Sequence, residues 1–405
     1  MHRTALLDNG IRIVHKCVDS DVAHCGIIIN AGTRDESENQ HGIAHLTEHM
    51  LFKGTKKRRA FHVLSRMEDV GGEIDAYTTK EETCITASFL HEFYQRAIEL
   101  ISDVLFNSTF PDKEIEKEKE VIVDEINSYK DSPAEMIFDD FEDLIYPGHS
   151  LGRNILGEEK SLIGYKSIDI RNFIAEKYNT DQMVFCSIGN IKFDKLLRYC
   201  NKYFGNIPLS PRKYKRQEFN NQVVESRIVE LNTHQAHCMI GNYAYTYNDP
   251  KRLPLFLLSN LLAGPGMNSR LNMILRERRG ISYNIESNYS AYEDTGNFNI
   301  YFGSDKENID YALELIFKEF DSLKTKKLGP LQLNKAKKQL IGQIAIGSEI
   351  HSNMLLTLGK SYLIYNQVET LNQTIREVES VTSEQLIEVA NEVFDRDKFS
   401  KLVYY

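Results

Sequence analysis

The chain has 405 residues, of which 41% are hydrophobic and 26% charged, an ordinary composition for a globular protein large enough to bury more than one core. No apolar run approaches the ~20 residues of a membrane-spanning helix, and the N-terminus lacks the apolar region of a secretory signal, so we expect no membrane segment and a cytoplasmic location unless a leader has been removed. The net charge is −9 and no basic stripe alternates with aromatic residues, which argues against nucleic acid as a partner.

Strand-like runs and long helices are predicted through both halves of the chain. The strand-like runs are residues 11–17, 26–31, 84–89, 182–189, 226–231 and 297–302. The clearest helices are residues 89–106, residues 111 or 112 to about 129, and residues 383–393. Hairpin-like strands clustered around long helices indicate α+β halves rather than one strictly alternating βα sheet.

A pentapeptide between the second and third strand-like runs is the first candidate site. It reads His45-Leu46-Thr47-Glu48-His49. Residues four apart on a helix leave the same face, so the two imidazoles and Glu48 lie close together. This spacing suits two nitrogen ligands of one zinc ion, and a third ligand from elsewhere would leave a position open, as in catalytic zinc sites. The order His-x-x-Glu-His is the inverzincin signature.

A second interpretation fits the same five residues. An apolar stripe makes this stretch helical with or without a metal, and it consists of Ile43, Leu46, Met50 and Leu51. The two histidines would then line a polar patch, and Glu48 would be a surface carboxylate. The pentapeptide therefore leaves both interpretations open, and the rest of the chain must decide between them.

The helix that follows Pro111 can supply the missing oxygen ligand. Its acidic residues are Glu114, Glu116, Glu118, Glu120, Asp124 and Glu125. Glu118 and Glu125 stand two turns apart, and a helix that buried this face would point both carboxylates inward. Asp124 is a neighbouring competitor that projects ~100° away. On composition alone, each of these residues would be a solvated surface charge.

The second half of the chain echoes the first. Residues 22–31 lead into the histidine-bearing helix, and residues 235–244, which share an Ala-His-Cys sequence with them, lead into a helical run over 253–262. Their separation is about half the chain, which indicates a duplicated domain. The positions that match the two histidines and Glu48 hold Leu258, Leu261 and Leu262, so we expect no metal in the second copy.

Two prolines and a basic run over residues 207–216 are typical of an exposed linker. We therefore predict a zinc-binding catalytic domain of residues 1–210, a linker of residues 211–221, and a similar domain without metal ligands over residues 222–405.

Taken together, the motifs resemble the pitrilysin and insulysin family of inverzincin metallopeptidases, and within it the short branch related to the mitochondrial processing peptidase. The resemblance starts from the pentapeptide and from Glu125, 76 positions after His49, and it spans essentially the whole chain. The further segments that carry it are residues 41–44, 52–55, 71–78, 118–125, 149–152, 266–271 and 276–283.

The resemblance implies a metal site and a fold. His45, His49 and Glu125 would bind one zinc ion per chain, and Glu48 would be the general base that takes a proton from the water activated there. Glu118 matches a position that supports a ligand histidine and fixes its tautomer. The fold implied is α+β, with two similar domains that each pack an antiparallel sheet against helices.

A substrate-binding strand is implied by residues 73–88. This stretch could offer an edge strand to an extended peptide, with Asp75, Ala76 and Tyr77 beside the peptide; an ordinary sheet strand is the alternative. Many relatives carry Asn where this chain has Asp75, so a negative charge replaces the expected amide near the cleft.

Arg276 and Tyr283 are implied as substrate contacts from the half opposite the zinc. A guanidinium and a phenol can hold a peptide carbonyl and stabilise a developing oxyanion. Without the resemblance, Arg276 would belong to an exposed cluster with Arg278 and Arg279, and Tyr283 to a strand.

The sequence thus predicts a zinc-dependent endopeptidase that hydrolyses peptides or unfolded leader segments. The alternative is a catalytic or structural subunit of a hetero-oligomeric processing peptidase that needs a second gene product. Long relatives enclose their substrate with four such domains, whereas this chain supplies two. We therefore expect a dimer, most simply a homodimer, although a heterodimer fits as well, in which Arg276 and Tyr283 of one protomer complete the zinc site of the other.

Overall fold

A computed structural model describes residues 2–231 and 233–405. The strands of these residues are β1 (His2–Leu6), β2 (Arg12–Cys17), β3 (Val22–Ile29), β4 (Glu73–Thr78), β5 (Thr83–Leu90), β6 (Met183–Gly189), β7 (Ser226–Val229), β8 (Ala236–Tyr243), β9 (Ser282–Ala291), β10 (Gly296–Ser304) and β11 (Ser400–Tyr404). The helices are α1 (Ile43–Leu51), α2 (Ala60–Glu68), α3 (Tyr94–Asn107), α4 (Asp112–Lys130), α5 (Pro133–Ile145), α6 (Glu159–Gly164), α7 (Ser167–Lys177), α8 (Phe193–Phe204), α9 (Arg252–Ala263), α10 (Ile309–Thr325), α11 (Pro330–Glu349), α12 (His351–Tyr365), α13 (Leu371–Ser380) and α14 (Ser383–Val393).

The strands of the described residues form two sheets that pack against helices, which confirms the predicted α+β fold class. The strand order is β1-β2-β6-β3-β5-β4 in the first sheet and β7-β11-β8-β10-β9 in the second. Neighbouring strands are antiparallel except for one pair in each sheet, β2 with β6 and β7 with β11. Each parallel pair joins strands far apart in the chain, because a parallel connection needs a long crossover.

The chain folds into two compact units that exchange segments. Unit 1 consists of residues up to 127 together with 153–216 and 347–369, and unit 2 consists of 128–152, 217–346 and 370–405. Helix α5 therefore belongs to unit 2, and α12 belongs to unit 1. The predicted division into residues 1–210, 211–221 and 222–405 assigns one continuous segment to each domain, whereas each compact unit consists of three segments. The predicted division stays a prediction.

In unit 1, the sheet is buried on both faces. Ile27 and Ile29 of β3 lie in a core shared with α1, α3 and α4, whereas Ile28 between them faces the other way and packs against α12. Helix α12 comes close to the sheet at Gly359, where an added methyl group would lie 2.5 Å from Ile28 Cδ1. A helix from late in the chain thus closes the second face of the first sheet.

In unit 2, α5 has the same role. Met239 of β8 packs against α5, while its neighbours Cys238 and Ile240 face the main core of this unit. At Gly241 a methyl group would lie 2.7 Å from the Phe141 ring of α5. Each sheet is therefore covered by a helix that is distant in sequence, which accounts for the exchanged segments.

Several predicted elements differ from the observed ones in detail. The helix predicted over residues 89–106 begins at Tyr94, because Phe89 and Leu90 complete β5. The basic run predicted as an exposed linker is partly buried, since Arg212 and Arg216 lie 3.0 and 2.9 Å from the carboxylate of Asp35. That carboxylate is fully buried and needs cationic partners, which anchors the run to unit 1.

Among the described residues, no helix combines the length and the hydropathy that crossing a bilayer requires.

Candidate metal centre

The three predicted ligands converge within unit 1. His45 and His49 lie on α1, and Glu125 lies on α4. Glu125 Oε2 is 3.9 Å from His45 Nε2 and 3.7 Å from His49 Nε2, and one ligand atom from each of the three lies within 4.8 Å of the others. Across residues 2–231 and 233–405, they are the one group of three or more histidine, cysteine or acidic side chains close enough to hold a metal.

Helix α1 is fixed by its apolar side and by its N-terminus. Ile43, Leu46 and Met50 are fully buried, so the opposite side presents the histidines towards α4. At the N-terminus, Gly42 adopts a φ of 89°, and an added methyl group would lie 2.8 Å from Gly157 Cα. The first turn of α1 therefore needs glycine both for its backbone conformation and for its packing.

A carboxylate from outside the helix caps this N-terminus. Glu36, which is buried, accepts hydrogen bonds from the backbone N–H of Gly42 at 3.1 Å and of Ala44 at 2.8 Å. Burial raises the pKa of Glu36 to about 8, whereas the two amides and the charges of Arg153 and Lys80 act in the opposite direction. Glu36 thus holds the turn that precedes His45, and the sequence did not point to it.

His49 is supported from behind by Glu118. Glu118 Oε2 lies 3.1 Å from His49 Nδ1, and Oε1 of the same carboxylate lies 2.5 Å from Lys53 Nζ. A carboxylate that accepts a hydrogen bond from Nδ1–H leaves the lone pair on Nε2, the atom that faces Glu125. The structure therefore brings Glu118 to the position that the resemblance implied, and it adds Lys53, which the sequence analysis missed.

His45 is held differently. Burial lowers the pKa of His45 to about 3, and the neighbouring His49 contributes in the same direction. The imidazole is therefore neutral at physiological pH, the form that can bind a metal. Its Nδ1 is buried and has no hydrogen-bond partner within the described part of the chain.

Glu48 lies on the same helix beside the histidines. Burial raises the pKa of Glu48, and the negative charges of Asp75 and Glu125 add to this effect. The Thr78 hydroxyl and His49 act in the opposite direction. A carboxyl group with a raised pKa beside the candidate metal ligands is a candidate proton acceptor.

The donor set fits zinc. Two imidazole nitrogens and one carboxylate oxygen are ligands that zinc accepts, and three protein ligands leave a fourth position for water or substrate. The neutral state of His45 and the orientation of His49 by Glu118 agree with the same ion. The residues present would therefore hold zinc in the manner of a catalytic site.

The strand proposed to bind peptide lies at a sheet edge. β4 pairs with β5 on one side and ends the strand order of the first sheet, so its other edge is unpaired within that sheet. Asp75 is exposed, and Ala76 packs on the side of α1. The Tyr77 side chain packs on the opposite side against α12, away from the α1 side of the sheet.

Arg276 and Tyr283 line one groove in unit 2, with a volume of about 420 Å³. Arg276 lies on a π-helix, residues 272–277, and Tyr283 lies on β9, one of the two edge strands of the second sheet. π-Helical turns are rare in proteins, and those that occur are often found at functional sites. The Tyr283 side chain is 73% exposed, so its hydroxyl is accessible. Arg276 Nε lies 3.6 Å from Glu277 Oε1, whereas Arg279 bonds to Tyr311 and to the carbonyl of Ile274.

The positions in the second half that match His45, Glu48 and His49 are leucines and lie on α9. Leu258 and Leu262 are fully buried in the core of unit 2, and Leu261 packs against that core. This surface of α9 is therefore part of a core, and it carries no metal-binding group.

Comparison with known proteins identifies relatives along the chain. Residues 13–159 match the family described as Insulinase (Peptidase family M16), and residues 167–340 match the family described as Peptidase M16 inactive domain. The uncharacterized zinc protease YmxG of Bacillus subtilis is 31% identical over 393 residues, which cover 96% of this chain and 95% of that protein. The mitochondrial-processing peptidase subunit beta of Saccharomyces cerevisiae is 26% identical over 405 residues, which cover 96% of this chain and 88% of the yeast protein.

Solved structures share the fold. The crystal structure of a protease from Helicobacter pylori superimposes with a TM-score of 0.90 at 19% identity, covering 100% of this chain and 99% of the other. A structure from Pseudomonas fluorescens, described as a peptidase M16 inactive domain, gives a TM-score of 0.92 at 19% identity and covers 100% and 98% of the two chains.

Proposed function

Because the chain belongs to the insulinase family of peptidases, family M16, we propose that it is a zinc-dependent endopeptidase that hydrolyses peptides or unfolded leader segments. The observation that carries this proposal is the convergence of His45, His49 and Glu125. The carboxylate of Glu48 lies on α1, the helix that carries the two histidines. Relatives that align with nearly the whole chain are named zinc proteases, which supports the assignment.

His45, His49 and Glu125 would hold one zinc ion per chain. When bound there, zinc supplies two effects that peptide hydrolysis needs, a lower pKa for water and a polarised substrate carbonyl. The chain contributes the geometry: burial keeps His45 neutral, and Glu118 fixes the ring of His49.

Glu48 acts as the general base. It lies beside the ligands without being one, so its carboxylate can accept a proton from the water that attacks the peptide carbonyl. The same carboxyl group can then give this proton to the leaving amine. Its raised pKa suits both steps, because the group must take up a proton and release it within one cycle.

β4 binds the substrate by strand addition. Its free edge offers main-chain N–H and C=O groups to an extended peptide, and pairing of this kind tolerates many side chains. Asp75 places a negative charge beside Glu48, which favours peptides with a cationic residue near the scissile bond.

Arg276 and Tyr283 act as hydrogen-bond donors to the substrate carbonyl and to the oxyanion that develops from it. We place them at the zinc site of a second protomer, in a homodimer. Mixing Glu48→Gln protein with Tyr283→Phe protein should then restore activity in hybrid dimers once the subunits exchange. Sedimentation that shows a fully active monomer would exclude this arrangement.

A second candidate is a subunit of a hetero-oligomeric processing peptidase. It is favoured by the similarity to a yeast protein whose name describes it as the beta subunit of such an enzyme. In that case the purified chain would be inactive alone and would gain activity from a second gene product. A cytoplasmic location stays a prediction from the sequence.

The experiment that tests the proposed function is digestion of a peptide library by the purified chain, with products identified by mass spectrometry. We expect cleavage within peptides, its loss after treatment with a chelator, and its return when zinc is added. Cleavage that a chelator leaves unchanged would contradict the proposal. Zinc binding without cleavage by the chain alone would favour the hetero-oligomeric candidate.

A further inference from the structure

We propose that Lys53 is a positioning residue of the metal centre. Its ammonium group holds the Glu118 carboxylate against Nδ1 of His49, so that the imidazole presents Nε2 to the metal. This inference rests on the proposed function, because it takes His49 as a zinc ligand.

The contacts of Glu118 carry the inference. Each oxygen of this carboxylate has its own partner: Oε1 lies 2.5 Å from Lys53 Nζ, and Oε2 lies 3.1 Å from His49 Nδ1. Rotation of the carboxylate would therefore lengthen one of these contacts. The two bonds together restrict Glu118 to the orientation that supports His49.

Burial makes the contribution of Lys53 hard to replace. The Glu118 side chain is 8% exposed, so water reaches it poorly, and a buried carboxylate is costly unless it is paired and hydrogen-bonded. Lys53 is 28% exposed and supplies that pairing through a charge-assisted bond, which is shorter and stronger than a neutral one. Without Lys53, the free energy of Glu118 would be lower if its carboxylate turned towards solvent and away from His49.

His49 is the ligand whose orientation depends on polar support. The ring of His45 is held by burial, and its Nδ1 has no hydrogen-bond partner in the described residues. His49 is more exposed, and its Nδ1 bonds to Glu118. A shift of Glu118 would therefore change the tautomer and the angle of one ligand while leaving the other in place.

The position of Lys53 follows from the end of α1. It stands four residues after His49 and two after the last helical residue, where the helix dipole favours a cation. Its N–H bonds to the carbonyl of Met50 at 3.3 Å, so the turn that ends α1 also directs the side chain of Lys53 towards α4. One short segment thus supplies both the ligand and the charge behind it.

The test compares Lys53→Met, which removes the charge at similar length, with Lys53→Arg, which keeps it. Lys119→Met is the matched control, because Lys119 is a buried lysine of α4 next to Glu118 in sequence, but it pairs with Glu116 and with the carbonyl of Ile163. Zinc affinity is measured by competition with a chromophoric chelator. The tautomer of His49 in the metal-free protein is measured by nitrogen-15 NMR.

We expect Lys53→Met to weaken zinc binding by roughly 10- to 100-fold, the usual effect of losing a group behind a ligand, and to reduce the fraction of His49 with its proton on Nδ1. Lys53→Arg should recover most of the affinity, and Lys119→Met should keep the parent affinity even if it lowers stability. Unchanged affinity and an unchanged tautomer in Lys53→Met would overturn the inference. A parent protein that failed to bind zinc would contradict the proposed function. The tautomer of His49 is measured without metal, so the comparison of Lys53→Met with the parent would still decide whether Lys53 positions Glu118 and His49.

Discussion

The two helices that follow equivalent strands, α1 after β3 and α9 after β8, show how one scaffold can carry a site or a core. On α9 the corresponding positions are leucines, of which Leu258 and Leu262 are fully buried. On α1 they are His45, Glu48 and His49, and the two histidines face Glu125 of the acidic helix α4. The scaffold therefore does not require polar residues at these positions. The polar residues of α1 therefore differ from the leucines of α9 for a local reason, and residues outside the helix support them. These are Glu36, Glu118 and Lys53.

The strongest way to break this comparison is to make α1 resemble α9 through the double variant His45→Leu/His49→Leu. We expect it to lose bound zinc and to hydrolyse peptides no faster than a chelator-treated sample, because two of the three ligands are gone. Replacing His49 leaves Oε2 of the buried Glu118 carboxylate without its partner, so the metal-free protein should lose about 1–3 kcal/mol of stability. Metal analysis and denaturant unfolding check both results. A variant that fails to fold would show that the polar side of α1 is structural.

A second variant acts on the unit without metal ligands. Tyr283→Phe removes one hydroxyl from the groove in unit 2 and should lower kcat by roughly 10²- to 10³-fold, the effect of losing one donor to an oxyanion. Zinc content should stay at the parent level. Tyr311→Phe is the control, since Tyr311 is another exposed tyrosine of unit 2, and its hydroxyl bonds to Arg279. Equal rates for the two variants would remove Tyr283 from the proposed mechanism.

The exchanged helices can be compared through their closest contacts with the sheets. Gly241→Ala would bring a methyl group to 2.7 Å from the Phe141 ring and from the carbonyl oxygen of Phe298, so we expect a loss of about 1–3 kcal/mol in the free energy of unfolding. Gly359→Ala meets Ile28 and Cys186 and should also be destabilising, but less so, because the Ile28 methyl group can move.

Gly342→Ala on α11 is the control for these two variants. An added methyl group there meets nothing within 4 Å, so the variant should gain stability by about 0.5–1 kcal/mol from helix propensity. Denaturant unfolding measures all three variants. A gain in stability for Gly241→Ala would contradict the close packing of α5 on its sheet.

The smallest expected effect concerns the cap of α1. Glu36→Ala leaves the N–H groups of Gly42 and Ala44 without their acceptor and should cost about 1–2 kcal/mol. Hydrogen exchange at these two amides should accelerate. Glu38→Ala, which removes an exposed carboxylate two residues away, serves as the control and should change neither quantity. Exchange rates that are the same in both variants would exclude Glu36 as the cap.

Local patterns in the sequence predicted much of the secondary structure. The helix predicted over residues 383–393 has the bounds of α14, and the strand predicted over residues 84–89 lies within β5. The run of isoleucines in β3 indicates a strand, but it cannot reveal that α12 covers Ile28, since that contact joins residues more than 300 positions apart. Local sequence patterns therefore could not predict that α5 belongs to unit 2 and α12 to unit 1.

The candidate site was predictable to a different extent. His45 and His49 follow from helical spacing, which also singled out Glu118 and Glu125, whereas the choice of Glu125 as the ligand depended on the resemblance. Lys53 was missed because a single lysine after a helix is usually a solvated charge. Glu36 was missed because caps usually come from the residue at the start of the helix, and this one stands six positions before Gly42.

The central claim is that Glu48 is the base and not a ligand, and it is tested most directly by measuring zinc content and peptide hydrolysis together in Glu48→Gln. The account predicts zinc at the parent level and hydrolysis lowered by roughly 10²- to 10⁴-fold, because the proton acceptor is gone while the ligands remain. Glu125→Gln is the matched control and should lose zinc and activity together. Hydrolysis by Glu48→Gln at the parent rate, or loss of its zinc along with its activity, would contradict the account.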